Sequence, residues 1–93
     1  MPGARPELDD AIGQSLARGV AVALATVVAG PGSGEQMLVW AAGQTRGGLG
    51  APRLNQRAAL HAEQLFERGT GTSRQAFTIQ GETIEVEFQL FLP

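Results

Sequence analysis

The 93-residue sequence contains no cysteine and no lysine. Without cysteine there is no disulfide framework, no thiolate nucleophile and no cysteine-based zinc or iron–sulfur site. Without lysine every positive side chain is an arginine, at positions 5, 18, 46, 53, 57, 68 and 74. Nine carboxylates outnumber those seven cations. A basic excess gathered on one face, which nucleic acid or an acidic membrane surface would require, is therefore not expected. Histidine is nearly missing too, with only His61, and a lone histidine makes neither a catalytic dyad nor a metal site. No apolar run approaches the length of a bilayer span, and the opening Met1 to Pro6 lacks the apolar stretch of a secretory signal, so a cytoplasmic location and no membrane partner are expected.

What remains is ordinary globular material. The apolar fraction of 43% suits one core, and a chain this short has surface enough for one domain, over residues 1–93. Pro6, the acidic Glu7, Asp9 and Asp10, and the closing Arg18-Gly19 mark a helix over 6–18, with Leu8, Ala11, Ile12 and Leu16 as its buried stripe. Val20 to Val28 reads as a central strand. Val20, Val22, Leu24 and Val28 form one apolar face, and Ala21, Ala23, Ala25 and Val27 form another that permits close packing.

Gly30 to Gly34 breaks regular structure, and strands follow over Met37 to Ala42 and Gln44 to Leu49. Pro52 opens a second helix with the stripe Leu54, Ala58, Ala62 and Leu65, closed by Arg68-Gly69. After a turn-rich link over Thr70 to Ser73, a hairpin runs from Ala76 through Gly81-Glu82 to Leu92, with Ile84, Val86, Phe88, Leu90 and Leu92 alternating against polar residues. The expected fold class is α+β: an α/β sandwich with a five-stranded mixed, mostly antiparallel sheet and two helices, in the order α-β-β-β-α-β-β.

The segment Gly47-Gly48-Leu49-Gly50 lies between a strand and a helix start, where backbone N–H groups and the helix dipole favour an anion and Arg53 adds charge. The competing explanation is a tight turn that needs glycine. His61 falls on or beside the apolar stripe, as a packing histidine does. Glu85 and Glu87 share a strand face that suits a divalent cation only with a third ligand, and otherwise is simply wet. Trp40 reads as sheet packing. Leu60 points away from its helix's buried stripe among Arg53, Arg57 and Gln64, the composition of a contact surface.

Taken together, Val22 to Val28, Met37-Leu38-Val39, Ala42 to Thr45 and Gly47 to Gly50 resemble the N-terminal domain of the XdhC/CoxI family, and Ile84 to Phe88 continues the likeness, which runs from about Gly19 onward. The resemblance implies a role in maturing molybdenum hydroxylases such as xanthine and carbon monoxide dehydrogenases, through binding of the molybdopterin cofactor and help with its sulfuration and insertion. It implies a cofactor site at Gly47, Gly48, Gly50, Arg53 and Asn55, and as partners a molybdenum hydroxylase or another maturation factor; the Leu60 face adds the expectation of a homo-oligomer.

The departures bear on chemistry. Where the family carries a cysteine and then a glutamate at the helix start, this chain has Arg53 and Asn55, with Pro52 inserted into the glycine run. The loop over Ala29 to Gln36 is shorter than the family's and lacks its Ser-Pro-Arg character. The family's second glycine-flanked cysteine is absent, and most members continue into a dinucleotide-binding domain. A guanidinium cannot carry a persulfide. The reading is thus a degenerate, non-catalytic accessory domain that binds cofactor. Its rival is a protein interaction subunit that self-associates or docks through the Leu60 face without cofactor.

Overall fold

The computed structural model describes residues 5–69 and 71–93. Its elements are α1 (Pro6–Ala17), β1 (Val22–Ala29), β2 (Gln36–Trp40), β3 (Thr45–Gly47), α2 (Pro52–Arg68), β4 (Thr72–Ile79) and β5 (Glu82–Phe91). The order is the expected one. The strands form one five-stranded sheet in the order β3-β2-β1-β5-β4, and the pairings β1–β2, β1–β5, β2–β3 and β4–β5 are all antiparallel. The expected mixed character is absent because three of these pairings are hairpins or short-loop meanders, while β5 returns alongside β1 in the opposite sense.

β1 is central and two-faced, as its sequence requires. Ala23, Ala25 and Val27 face α2, whose Leu54, Ala58, Ala62 and Leu65 pack with them over Met37, Val39, Phe77, Val86, Phe88 and Leu90. Val22 and Leu24 face α1, where Leu8, Ala11 and Ile12 join Leu38, with Leu16, Trp40 and Phe91 at the margin. Burying each fully enclosed leucine is worth roughly 1.5–3 kcal/mol, so the stripes of both helices, rather than helix propensity, hold them down.

Several boundaries differ from the sequence expectation. Val20 precedes β1 and is 42% exposed, and Val28 is 38% exposed. The α1-side core takes in Val22 and Leu24 but neither Val20 nor Val28, and the β1–β5 register shifts between Val27 and Ala29, so the strand's ends lose their cover. β2 stops at Trp40 and β3 is three residues long, because Gly43 turns the chain after Trp40 and the bend from Gly47 leads it away. β4 begins at Thr72, so Thr72 and Ser73 of the expected link are strand, with Thr72 paired opposite Gln89; Thr70 lies outside the described residues. Leu92, expected at the end of the last buried face, follows β5 and is exposed.

Polar contacts tie the layers together. Arg5 N–H donates to Gln36 Oε1 at 2.9 Å, and its guanidinium meets Glu35 Oε1 at 2.9 Å, anchoring the start of α1 to the β1–β2 loop. On the other end of α1, Trp40 Nε1 donates to Ser15 Oγ at 2.9 Å, and Ser15 Oγ donates to Ala11 O at 2.8 Å.

Candidate functional site

The glycine bend joins β3 to α2. Gly47 has φ +81°, and a Cβ there would sit 2.7 Å from Gln36 O, so the residue is fixed by close backbone approach. Gly48 N–H donates to that same oxygen at 3.2 Å. Leu49 N–H donates to Asn55 Oδ1 at 2.7 Å, and the Asn55 amide also lies against Gly48, where a Cβ would come within 3.3 Å of Nδ2. Asn55, on the first turns of α2, is thus a brace for the bend. Leu49 is buried beneath it in the α2-side core.

Gly47, Gly48, Asn55 and the Leu49 amide are therefore committed to holding the turn. Gly50 differs, with φ +102° and no heavy atom within 4 Å of a Cβ position. Ala51 is the N-cap and has no capping side chain, Pro52 follows at the first helical position, and the first turn of α2 carries no acidic residue. Arg53 is exposed beside them. Of the five expected site residues the structure leaves Gly50 and Arg53 open at the start of α2, while Gly47, Gly48 and Asn55 hold the turn. The bend is therefore not a ring of free amides, since the Gly48 and Leu49 N–H groups are already bonded within the turn.

His61 behaves as packing. Its ring lies 4.6 Å from that of Phe88 and edge-on to Phe77 at 6.3 Å, with Nε2 3.3 Å from Ser73 Oγ. Burial, and then the nearby positive charge of Arg68, hold its pKa below the ordinary histidine value. Glu85 and Glu87 share Arg74, at 4.0 and 3.4 Å, and no cluster among the described residues gathers three metal-ligating side chains.

Leu60 is 61% exposed. It lines a shallow groove of about 390 Å³ between α2 and β4 with Arg57, His61, Gln64, Arg68 and Phe77. Arg57 lies over the Phe77 ring at 5.4 Å and donates to Thr78 O at 3.0 Å. Arg53, expected in this surround, does not line the groove. A second concavity, of about 400 Å³, lies between the end of α1 and the β2–β3 hairpin. Sequence reasoning missed it, because its walls are separated along the chain and Trp40 alone gave a signal that read as packing.

Fold and bend define a small antiparallel sheet held between two helices, presenting a braced glycine turn at one helix start. Residues 15–78 match the model of the XdhC and CoxI family, and the chain belongs to that family. Membership associates it with the maturation of molybdenum enzymes in general. The match starts within α1 and ends in β4, so β5, where the resemblance was expected to continue, lies beyond it. A comparison with curated proteins finds no match. Among the described residues no helix is long and apolar enough to cross a membrane.

Proposed function

We propose that the chain is a non-catalytic accessory domain that holds molybdopterin during assembly of a molybdenum hydroxylase, with the cofactor's phosphate at Gly50 and Arg53. The observation that carries this reading is the open φ-positive Gly50 next to an exposed guanidinium at an α2 start without carboxylates. Such a start favours an anion, and arginine pairs with phosphate through parallel N–H donors. The residues suit the phosphate end of the cofactor. They do not suit its sulfuration, because no thiol is present to carry sulfur. Asn55 serves the site by holding Leu49 and Gly48, not by touching the ligand.

Protein purified from a host that makes molybdopterin should release a fluorescent pterin, and Arg53→Ala should lose it while keeping its melting temperature. If saturating cofactor alters neither the melting temperature nor the fluorescence of the wild-type protein, the reading fails.

A second reading is favoured by the exposure of Leu60 over a groove bordered by two arginines. In it, the domain docks on a second copy or on a maturation partner through that face of α2.

A further inference from the structure

The concavity on the opposite face of the sheet has the composition of a ligand site. Antiparallel pairing sets Arg46 beside Leu38, which faces α1. Arg18 ends α1 on the same side. With Gln14, Trp40, Gln44 and Thr45 they line a space of about 400 Å³, within the size range of small-molecule pockets. The space exists because α1 covers β1 and β2 but stops short of the three-residue β3.

Charge in this cleft is one-sided. None of the residues lining it is acidic, although the protein as a whole carries a net charge of −2. Neither Arg18 nor Arg46 forms an ion pair among the described residues, whereas Arg5 and Arg74 do. The carbonyls at the end of α1 do not claim these cations either. Those of Gln14, Ser15 and Leu16 accept from the N–H groups of Arg18, Gly19 and Val20. Two guanidinium groups thus border one polar cleft with no anion from the protein itself. Its wall includes an indole whose orientation is fixed by the Trp40-to-Ser15-to-Ala11 relay.

The geometry points to a binding site for an aromatic phosphate monoester, the ring against Trp40 and the dianionic phosphate between Arg18 and Arg46. A dianion matches the double positive charge, arginine pairs with phosphate bidentately, and the indole offers a flat apolar surface to a ring. Gln14, Gln44 and Thr45 supply neutral hydrogen-bonding groups along the rim. This site is separate from Gly50 and Arg53, which belong to the start of α2.

Trp40 is the only tryptophan, so its emission reports on the cleft directly. Titration with adenosine 5′-monophosphate should change that emission saturably, while adenosine alone and inorganic phosphate alone bind about tenfold more weakly or worse, each lacking half of the recognition. Arg18→Ala and Arg46→Ala should each weaken binding by about tenfold, the loss of one charged hydrogen-bonding partner, with unchanged melting temperatures. Arg53→Ala should leave it intact. Absence of a saturable response at millimolar nucleotide, or undiminished affinity in the Arg18→Ala/Arg46→Ala double variant, would overturn the assignment. Equal response to inorganic phosphate alone would overturn the aromatic half of it.

Discussion

At the scale of single residues, the glycine bend shows how a site and its scaffold divide the work. Asn55 Oδ1 accepts the Leu49 N–H at 2.7 Å in a partly buried setting, and removing that acceptor strands a donor beside the core. Asn55→Ala should destabilise the fold by about 1–2 kcal/mol in chemical denaturation, and Asn55→Asp, which keeps an acceptor, by clearly less. His61 carries a pH signature. Because its pKa is lowered in the fold, the unfolded chain takes up a proton first as the pH falls. Stability should be level above the unfolded value of about 6.5, decline as the pH drops from there through the lowered folded value, and level off below both. His61→Gln should remove this component from the pH dependence of the melting temperature. Protonation would also place a charge near Arg57 and Arg68, the other cations of that groove.

At the scale of elements, legibility followed the pattern of burial. α2 was readable in full, since Pro52, four stripe residues and Arg68-Gly69 are all local signals, and Gly69 closes it with φ +70° and an N–H bonded to Leu65 O. The alternation of β5 and the two apolar faces of β1 were equally plain. β4 was readable only in its second half, from Ala76; its first half from Thr72 is largely exposed on an edge strand, and pairing with β5 defines it. The role of Asn55 was hidden for a related reason. Its partner is a backbone amide six residues earlier, and no side-chain pattern announces such a bond. The turn between β4 and β5 offers a test of local chemistry. Gln80 has φ +51° and Gly81 φ +80°, the signs of a type I′ turn, in which asparagine is far more at ease than glutamine. Gln80→Asn should therefore raise stability, by an amount on the order of 0.5 kcal/mol, as read from the denaturation midpoint.

At the scale of the whole molecule, the sheet divides its surroundings in two. One face is closed by α2, and the other is covered by α1 over β1 and β2 while the β5–β4 half keeps Arg74, Glu85 and Glu87 partly in solvent. Among the described residues Leu60 is the most exposed large apolar side chain, followed by Leu92, Val20 and Val28. If that face of α2 is a docking surface, Leu60→Asp should shift light-scattering mass toward the monomer, or lower recovery of a partner, while changing stability by no more than about 0.5 kcal/mol, as expected of an exposed site. An unchanged mass with a monomer at every concentration would leave docking on a second copy without support. Sequence alone could place Leu60 outside the stripe of α2. It could not show that β4 rises alongside to make a groove, because that depends on a pairing across the hairpin.

The strand order carries a consequence for how this molecule assembles in time. β1 is flanked by β2, which follows within a few residues, and by β5, which arrives about sixty positions later. The earlier meander and the late hairpin are thus two halves stitched by a single seam, and a chain cut at residue 79 would leave the middle strand as a raw border. On a ribosome, that border stays open until β5 has left the exit tunnel, so the interval before β5 emerges is when the domain is most exposed to pairing with the wrong neighbour.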